Sequence, residues 1–204
     1  MKIIFATGNQ GKIREVKEIL GDQVEVLTMK EAGVDCDPEE NGSTFTENAY
    51  IKARAVREKC KASGNKELMD CIVMADDSGL EIDAMPGELG VKSARFMGHD
   101  TSYDIKNQAI LDRMKDVPVE ERGARFVCAI AAILPDGREL DTKGVMEGQI
   151  GYEISGNGGF GYDPIFFLPE YGCTSAKLTP EQKNAISHRG KAFTAMHDYL
   201  AAIL

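Results

Sequence analysis

The sequence predicts an α/β fold with a mixed β-sheet and flanking helices. Strand-like runs and helical periodicities alternate through the first half of the chain, which implies parallel strands joined by crossover helices. A later Pro135-Asp136-Gly137 turn between two strand-like runs implies an antiparallel hairpin in the same sheet. At 204 residues the chain suits one domain, 1–204, or two tightly joined lobes with a cleft between them, the hairpin region forming the second lobe.

The elements follow in order. Lys2 to Ala6 reads as a strand, and Ile13, Val16, Ile19 and Leu20 mark one face of the helix after it. Val24 to Met29 is a second strand, and residues 30–43 are acidic and irregular. Thr44-Phe45-Thr46-Glu47 has the form of a capping box and opens a helix whose Ala49, Ala53, Val56 and Cys60 share a face. Cys71 to Ala75 is a buried strand that ends in Asp76-Asp77-Ser78-Gly79. A helix spans Ser102 to Lys115, and the hairpin strands are Arg125 to Leu134 and Arg138 to Ile150. Thr179-Pro180-Glu181-Gln182 caps a last helical segment, predicted to break near Gly190 before Phe193, Met196, Leu200 and Ile203 resume a face.

Composition narrows the function. A net charge of −9 disfavours a broad nucleic-acid-binding face, which needs a basic surface. It leaves room for a small phosphorylated substrate held by a divalent metal and a few local cations. No apolar run approaches the ~20 residues that span a bilayer, and the N-terminus has no signal-peptide pattern, so a cytoplasmic location is expected. Five widely spaced cysteines without a C-x-x-C pair argue against a disulfide framework or a zinc site.

Gly156, Gly158 and Gly161 form a G-x-G-x-x-G, the spacing of a dinucleotide-binding turn. That turn must open a helix. Here Pro164 biases Asp163 away from helical angles, and Ile165 to Leu168 reads as a short strand, so the dinucleotide reading fails.

Four other stretches carry candidate chemistry. In Phe5-Ala6-Thr7-Gly8-Asn9-Gln10-Gly11-Lys12 a strand, a polar turn and a helix follow in order, which leaves helix N-terminal N–H groups free for an anion. Thr7, Asn9 and Lys12 add side-chain donors, although an ordinary capped turn fits the same residues. Asp76 and Asp77 stand at the end of a buried strand, where α/β folds place ligands; adjacent strand residues face opposite ways, so the two need not share a role. A turn held by side-chain-to-backbone bonds is the alternative. Glu39, Glu40 and Glu47 offer hard oxygen ligands for Mg²⁺, or a solvated loop and a helix cap. Lys183, His188, Arg189 and Lys191 form the most basic cluster, suited to phosphates or a nucleobase carbonyl, or else a solvated helix face.

Together these stretches resemble a known family. TGNQGK, FTENAYIKA, ADDSGLEID, GVKSARF, GGFGYDPIF and KNAISHRGKA occur in the order seen in the inosine/xanthosine triphosphate pyrophosphatases, from residue 3 to about residue 193. The resemblance implies an elongated mixed sheet, two lobes around a central cleft, a homodimer, and Mg²⁺-dependent hydrolysis of ITP, dITP and XTP to the monophosphate and pyrophosphate. It implies that Thr7, Gly8, Asn9, Gln10, Gly11 and Lys12 hold the triphosphate. Asp77 becomes the general base and, with Glu40, a metal ligand, and Ser78 lies beside the substrate. Phe160, Gly161, Tyr162, Asp163, Lys183, His188 and Arg189 surround the nucleobase.

Overall fold

The computed structural model describes residues 1–22 and 24–203. Strand β1 (Lys2–Phe5) leads into helix α1 (Gln10–Leu20), then β2 (Glu25–Thr28), α2 (Phe45–Ala62), a short α3 (Lys66–Met69) and β3 (Ile72–Ile82). A 3₁₀ turn at Gly90–Arg95, α4 (Tyr103–Arg113), β4 (Gly123–Ile133), β5 (Glu139–Ile150), β6 (Phe166–Leu168) and β7 (Cys173–Thr174) follow, and α5 (Pro180–Ile186) and α6 (His188–Ile203) close the chain.

One seven-stranded sheet runs β2-β1-β3-β4-β5-β6-β7. β1 pairs parallel with β2 and β3, matching Ile3 with Val26 and with Ile72. β5–β6 and β6–β7 are antiparallel, with Ile150 opposite Phe166 and Phe167 opposite Thr174. The predicted mixture of parallel and antiparallel pairing is present. The hairpin is closed where Leu134 N–H donates to the Arg138 carbonyl.

The chain divides into two compact units. The first holds residues 1–77, 128–144 and 189–204, and the second 78–127 and 145–188. In the first unit, strand alternation builds two cores. Ile3, Phe5, Ile72 and Met74 pack with Ile13, Val16 and Leu20 of α1 and with Phe193, Met196 and Leu200 of α6. Ile4, Ala6, Val73 and Ala75 point the other way and pack with Ala49, Ala53, Val56 and Cys60 of α2. The second unit has its own core, in which Leu80 and Ile82 meet Ile110, Met114, Phe126, Ile150, Tyr162 and Phe166.

Four expectations need correction. The hairpin region does not form the second unit, since its residues 128–144 belong to the first. β3 does not end at the Asp76-Asp77 pair; it continues to Ile82, because Leu80 and Ile82 bury in the second core. The acidic pair looks like a turn, yet each carboxylate finds partners that let the strand run on. The C-terminal helical segment breaks at Ser187 rather than Gly190: Ser187 adopts extended angles (φ −66°, ψ 154°), and Gly190 lies inside α6. After the glycine turn, Asp163–Ile165 form a single 3₁₀ turn, so the strand starts at Phe166. No α-helix opens there, which agrees with rejecting the dinucleotide motif.

Candidate active site

The β1–α1 turn is held by its own side chains. Thr7 Oγ1 accepts from the Asn9 N–H at 3.2 Å, and Asn9 Oδ1 accepts from the Lys12 N–H at 3.1 Å as the N-cap of α1. Gly8, Asn9 and Gln10 are exposed, and the first turn of α1 carries no acidic residue. A Cβ added at Gly8 would meet no atom within 4 Å, so protein packing does not demand glycine there.

Asp76 lies on the α1/α6 side of β3 and is wholly buried. Its carboxylate takes Lys12 Nζ at 2.9 Å and Arg189 at 3.6 Å, and the Cys128 thiol lies 3.9 Å away. Arg189, 2% exposed, also pairs with Glu15. Burial opposes ionisation of Asp76, but Lys12, Arg189 and Lys52 outweigh it and hold the carboxyl far below the usual range. Burial and the neighbouring Asp76 push the Cys128 thiol up to about 12, so it stays protonated.

Asp77 lies on the α2 side, where Asn48 Nδ2 donates to its Oδ2 at 3.0 Å. Lys52 Nζ stands 3.9 Å from Asp77 Oδ1 and 2.7 Å from Glu40 Oε2. For Asp77 burial wins: the pKa is raised, even though Lys52, Asn48 and Lys12 pull it down. Burial works to lower the pKa of Lys52, but Asp76, Asp77 and Glu40 raise it overall. Two adjacent carboxylates are thus driven in opposite directions. Ser78, half-buried, follows as the first residue of the second unit.

Glu47 is a helix cap: it accepts from the Ser43 and Thr44 N–H groups and the Ser43 hydroxyl, which lower its pKa. Glu39 is exposed. Glu40 and Asp77 are therefore the carboxylates that share a neighbourhood. Among the described residues no three Asp, Glu, His or Cys groups converge as a preformed metal cage. A pair of hard oxygen donors fits Mg²⁺, which keeps waters and binds through one or two carboxylates plus substrate phosphates.

In the second unit, Gly159 and Gly161 take positive φ (both 69°) and shape the turn around Phe160. A Cβ at Gly159 would lie 2.1 Å from Asp163 Oδ2, and one at Gly158 would lie 2.7 Å from the Ala176 carbonyl oxygen, so the chain's own packing requires both glycines. Asp163 is 3% exposed and accepts from the Phe160 N–H (2.9 Å), Lys183 Nζ (2.7 Å) and the Ser175 hydroxyl (2.7 Å). Lys183 Nζ also lies 5.3 Å from the centre of the Phe160 ring. Tyr162 donates its hydroxyl to the Ser93 carbonyl at 2.6 Å, and Asn107 Nδ2 donates to the Gly161 carbonyl at 3.1 Å. His188 stacks on Phe126 at 4.9 Å.

The structure thus gathers Thr7 to Lys12, Glu40, Asp77 and Arg189 in the first unit, and Phe160 to Asp163, Lys183 and His188 in the second. His188 and Arg189, neighbours in sequence, belong to different units. Sequence reasoning missed Asn48, Lys52 and Glu15, and the partnership of Asp76 with Lys12. Asn48 and Lys52 were legible: they stand one turn apart on α2, beside the core-facing Ala49 and Ala53.

A capped helix start carrying a lysine thus lies beside two oppositely tuned buried carboxylates on an α/β sheet. The chain belongs to the Ham1 family, whose model matches residues 3–199. Over its whole length it is 45% identical to a dITP/XTP pyrophosphatase of Clostridium perfringens and 43% identical to one of Exiguobacterium sibiricum, covering 98% and 99% of those proteins. Its structure matches the Staphylococcus aureus Ham1 protein with a TM-score of 0.83 at 39% identity, and a Coxiella burnetii HAM1 protein with 0.84 at 38%, each over 99% of both chains.

Proposed function

We propose that this protein hydrolyses non-standard purine nucleoside triphosphates, ITP, dITP and XTP, to the monophosphate and pyrophosphate. One observation carries the reading: a single unit joins an anion-ready helix start and Lys12 to the Asp77–Glu40 carboxylate pair. The names of the relatives support it.

The first unit's residues divide the chemistry. Thr7, Asn9, Gly8, Gln10, Gly11 and the α1 N–H groups take the phosphates, and Lys12 stabilises charge on the departing pyrophosphate. Glu40 and Asp77 would hold Mg²⁺, which when bound would supply neutralisation of phosphate charge and polarisation of the scissile bond. Asp77 accepts a proton from the water that attacks the α-phosphorus. Burial moves its pKa upward, the direction that suits a general base at neutral pH.

The second unit's turn reads the base. Phe160 offers an aromatic face, and Lys183 a donor held in place by Asp163. Hypoxanthine and xanthine carry an acceptor oxygen at position 6, where adenine carries a donor amino group. A cationic donor at that edge favours the former by about 1–3 kcal/mol, the cost of leaving a buried group unpaired. His188 and Ser78 border the substrate in this reading. Arg189 acts through its pairs with Glu15 and Asp76. The working form is a cytoplasmic homodimer, the compartment being that of the free nucleotide pool.

The test is a panel of ITP, dITP, XTP, GTP and ATP with Mg²⁺, read by pyrophosphate release. Fast release from the first three supports the reading. Orthophosphate as the product, or preference for ATP, overturns it.

A further inference from the structure

Asn48 sits at the point where the loop carrying Glu40 meets Asp77. Its side chain is fully buried, and both ends of its amide are used. Oδ1 accepts from the Gly42 N–H at 2.8 Å, and Nδ2 donates to Asp77 Oδ2 at 3.0 Å. An amide is the group that can do both at once: an Asp would lose the donor and an aliphatic residue would lose both. The loop is fitted closely to it, since a Cβ at Gly42 would lie 2.7 Å from Asn48 Oδ1 and 2.8 Å from Glu47 Cβ. The Thr44–Glu47 capping box fixes the first turn of α2, and with it the place of Asn48. The chain path is short: Glu40 is two residues before Gly42, and its carboxylate meets Lys52, one helical turn after Asn48.

We propose that Asn48 is a positioning residue that couples the Glu40 loop to Asp77, so that the two carboxylates are presented as one divalent-cation site. The inference rests on the reading of Glu40 and Asp77 as the metal ligands. Asn48 touches neither metal nor substrate; it orients one ligand directly and the other through the Gly42 peptide. Partners of this kind tune metal affinity by about 10–100-fold.

The test uses the full-length protein with Asn48→Leu, which keeps the branching at Cγ but removes both polar ends, and Asn48→Ala. Mg²⁺ binding is measured by calorimetry, and ITP hydrolysis is measured across a Mg²⁺ series. The expected result is Mg²⁺ affinity about 10–100-fold weaker in both variants, with turnover recovering as Mg²⁺ is raised. That rescue separates positioning from a general loss of structure, which added metal would not restore to a wild-type plateau. On the wild-type protein, the side-chain amide resonance of Asn48 is expected to shift when Mg²⁺ is added. This readout decides the matter even if both variants fail to fold. Wild-type Mg²⁺ affinity in the variants, or an amide resonance indifferent to Mg²⁺, overturns the coupling. Absence of Mg²⁺-dependent hydrolysis by the wild-type protein would instead sink the metal assignment itself.

Discussion

Asp76 and Asp77 are chemically identical neighbours, yet replacing each with asparagine should have opposite effects. Asp76 is wholly buried, with Lys12 at 2.9 Å and Arg189 at 3.6 Å. Asp76→Asn leaves those cations without their shared counter-charge. Breaking a buried pair from one side costs about 3–5 kcal/mol, which at about 2–4 °C per kcal/mol lowers the melting temperature by roughly 6–20 °C. For Asp77 the sign reverses. Its folded pKa lies above the unfolded value, so the folded state favours the protonated form, and ionisation at neutral pH works against stability. Asp77→Asn removes that charge and keeps an oxygen for the Asn48 donor, so stability should stay level or rise. Turnover should fall about 10²–10⁴-fold, the worth of a general base. Urea unfolding with a constant m-value gives the stabilities, and pyrophosphate release at a temperature well below both transitions gives the rates. Equal destabilisation of the two variants, or near-normal ITP hydrolysis by Asp77→Asn, would refute the division of roles.

Three further outcomes are expected. Lys12→Ala should weaken triphosphate binding by about tenfold or more, the worth of a charge-assisted contact, and monophosphate binding much less; equal losses in a binding titration would move Lys12 away from the β- and γ-phosphates. Gly159→Ala should lower stability by about 1–2 kcal/mol for its positive φ. The added Cβ also crowds Asp163 off Lys183, so the ratio of ITP to ATP turnover should fall, and an unchanged ratio would detach that ion pair from base selection. Tyr50 donates to Asp141 at 2.9 Å, and burial raises its pKa to about 12. Its contribution is therefore full below pH 10 and lost as pH rises from 10 to about 12. The stability gap between wild type and Tyr50→Phe should close over that window; a gap that persists at pH 12 would contradict the assignment.

Much of the architecture was legible because hydrophobic period and capping chemistry agree along the chain. The Thr44–Glu47 box starts α2 as written, and the Asp136-Gly137 turn closes the β4–β5 hairpin. The strand–turn–helix at residues 5–12 was legible too, since Asn9 caps α1 just where the polar stretch ends. What escaped depends on tertiary partners. The length of β3 depends on Leu80 and Ile82 finding a second core beyond an acidic pair that imitates a turn. The role of Asp76 depends on Arg189, more than a hundred residues away in sequence, and that of Lys52 on Glu40 across a loop with no periodicity. The need for glycine at 158 and 159 also depends on tertiary partners, because the Ala176 carbonyl and the Asp163 carboxylate occupy the space a Cβ would take.

At Asp76-Asp77 the sheet is one peptide thick, and β3 works as a partition with a fixture on each side. One fixture fastens helices α1 and α6 to the wall; the other faces α2 beside Asn48 and Lys52. Their assignment depends only on whether each position is odd or even. Removing one residue between Cys71 and Asp76 would exchange the two sides, setting Asp76 beside Asn48 and Lys52 and Asp77 beside Lys12 and Arg189. The loops of this fold can lengthen or shorten at little cost, but the count of residues leading into that doublet cannot change by one.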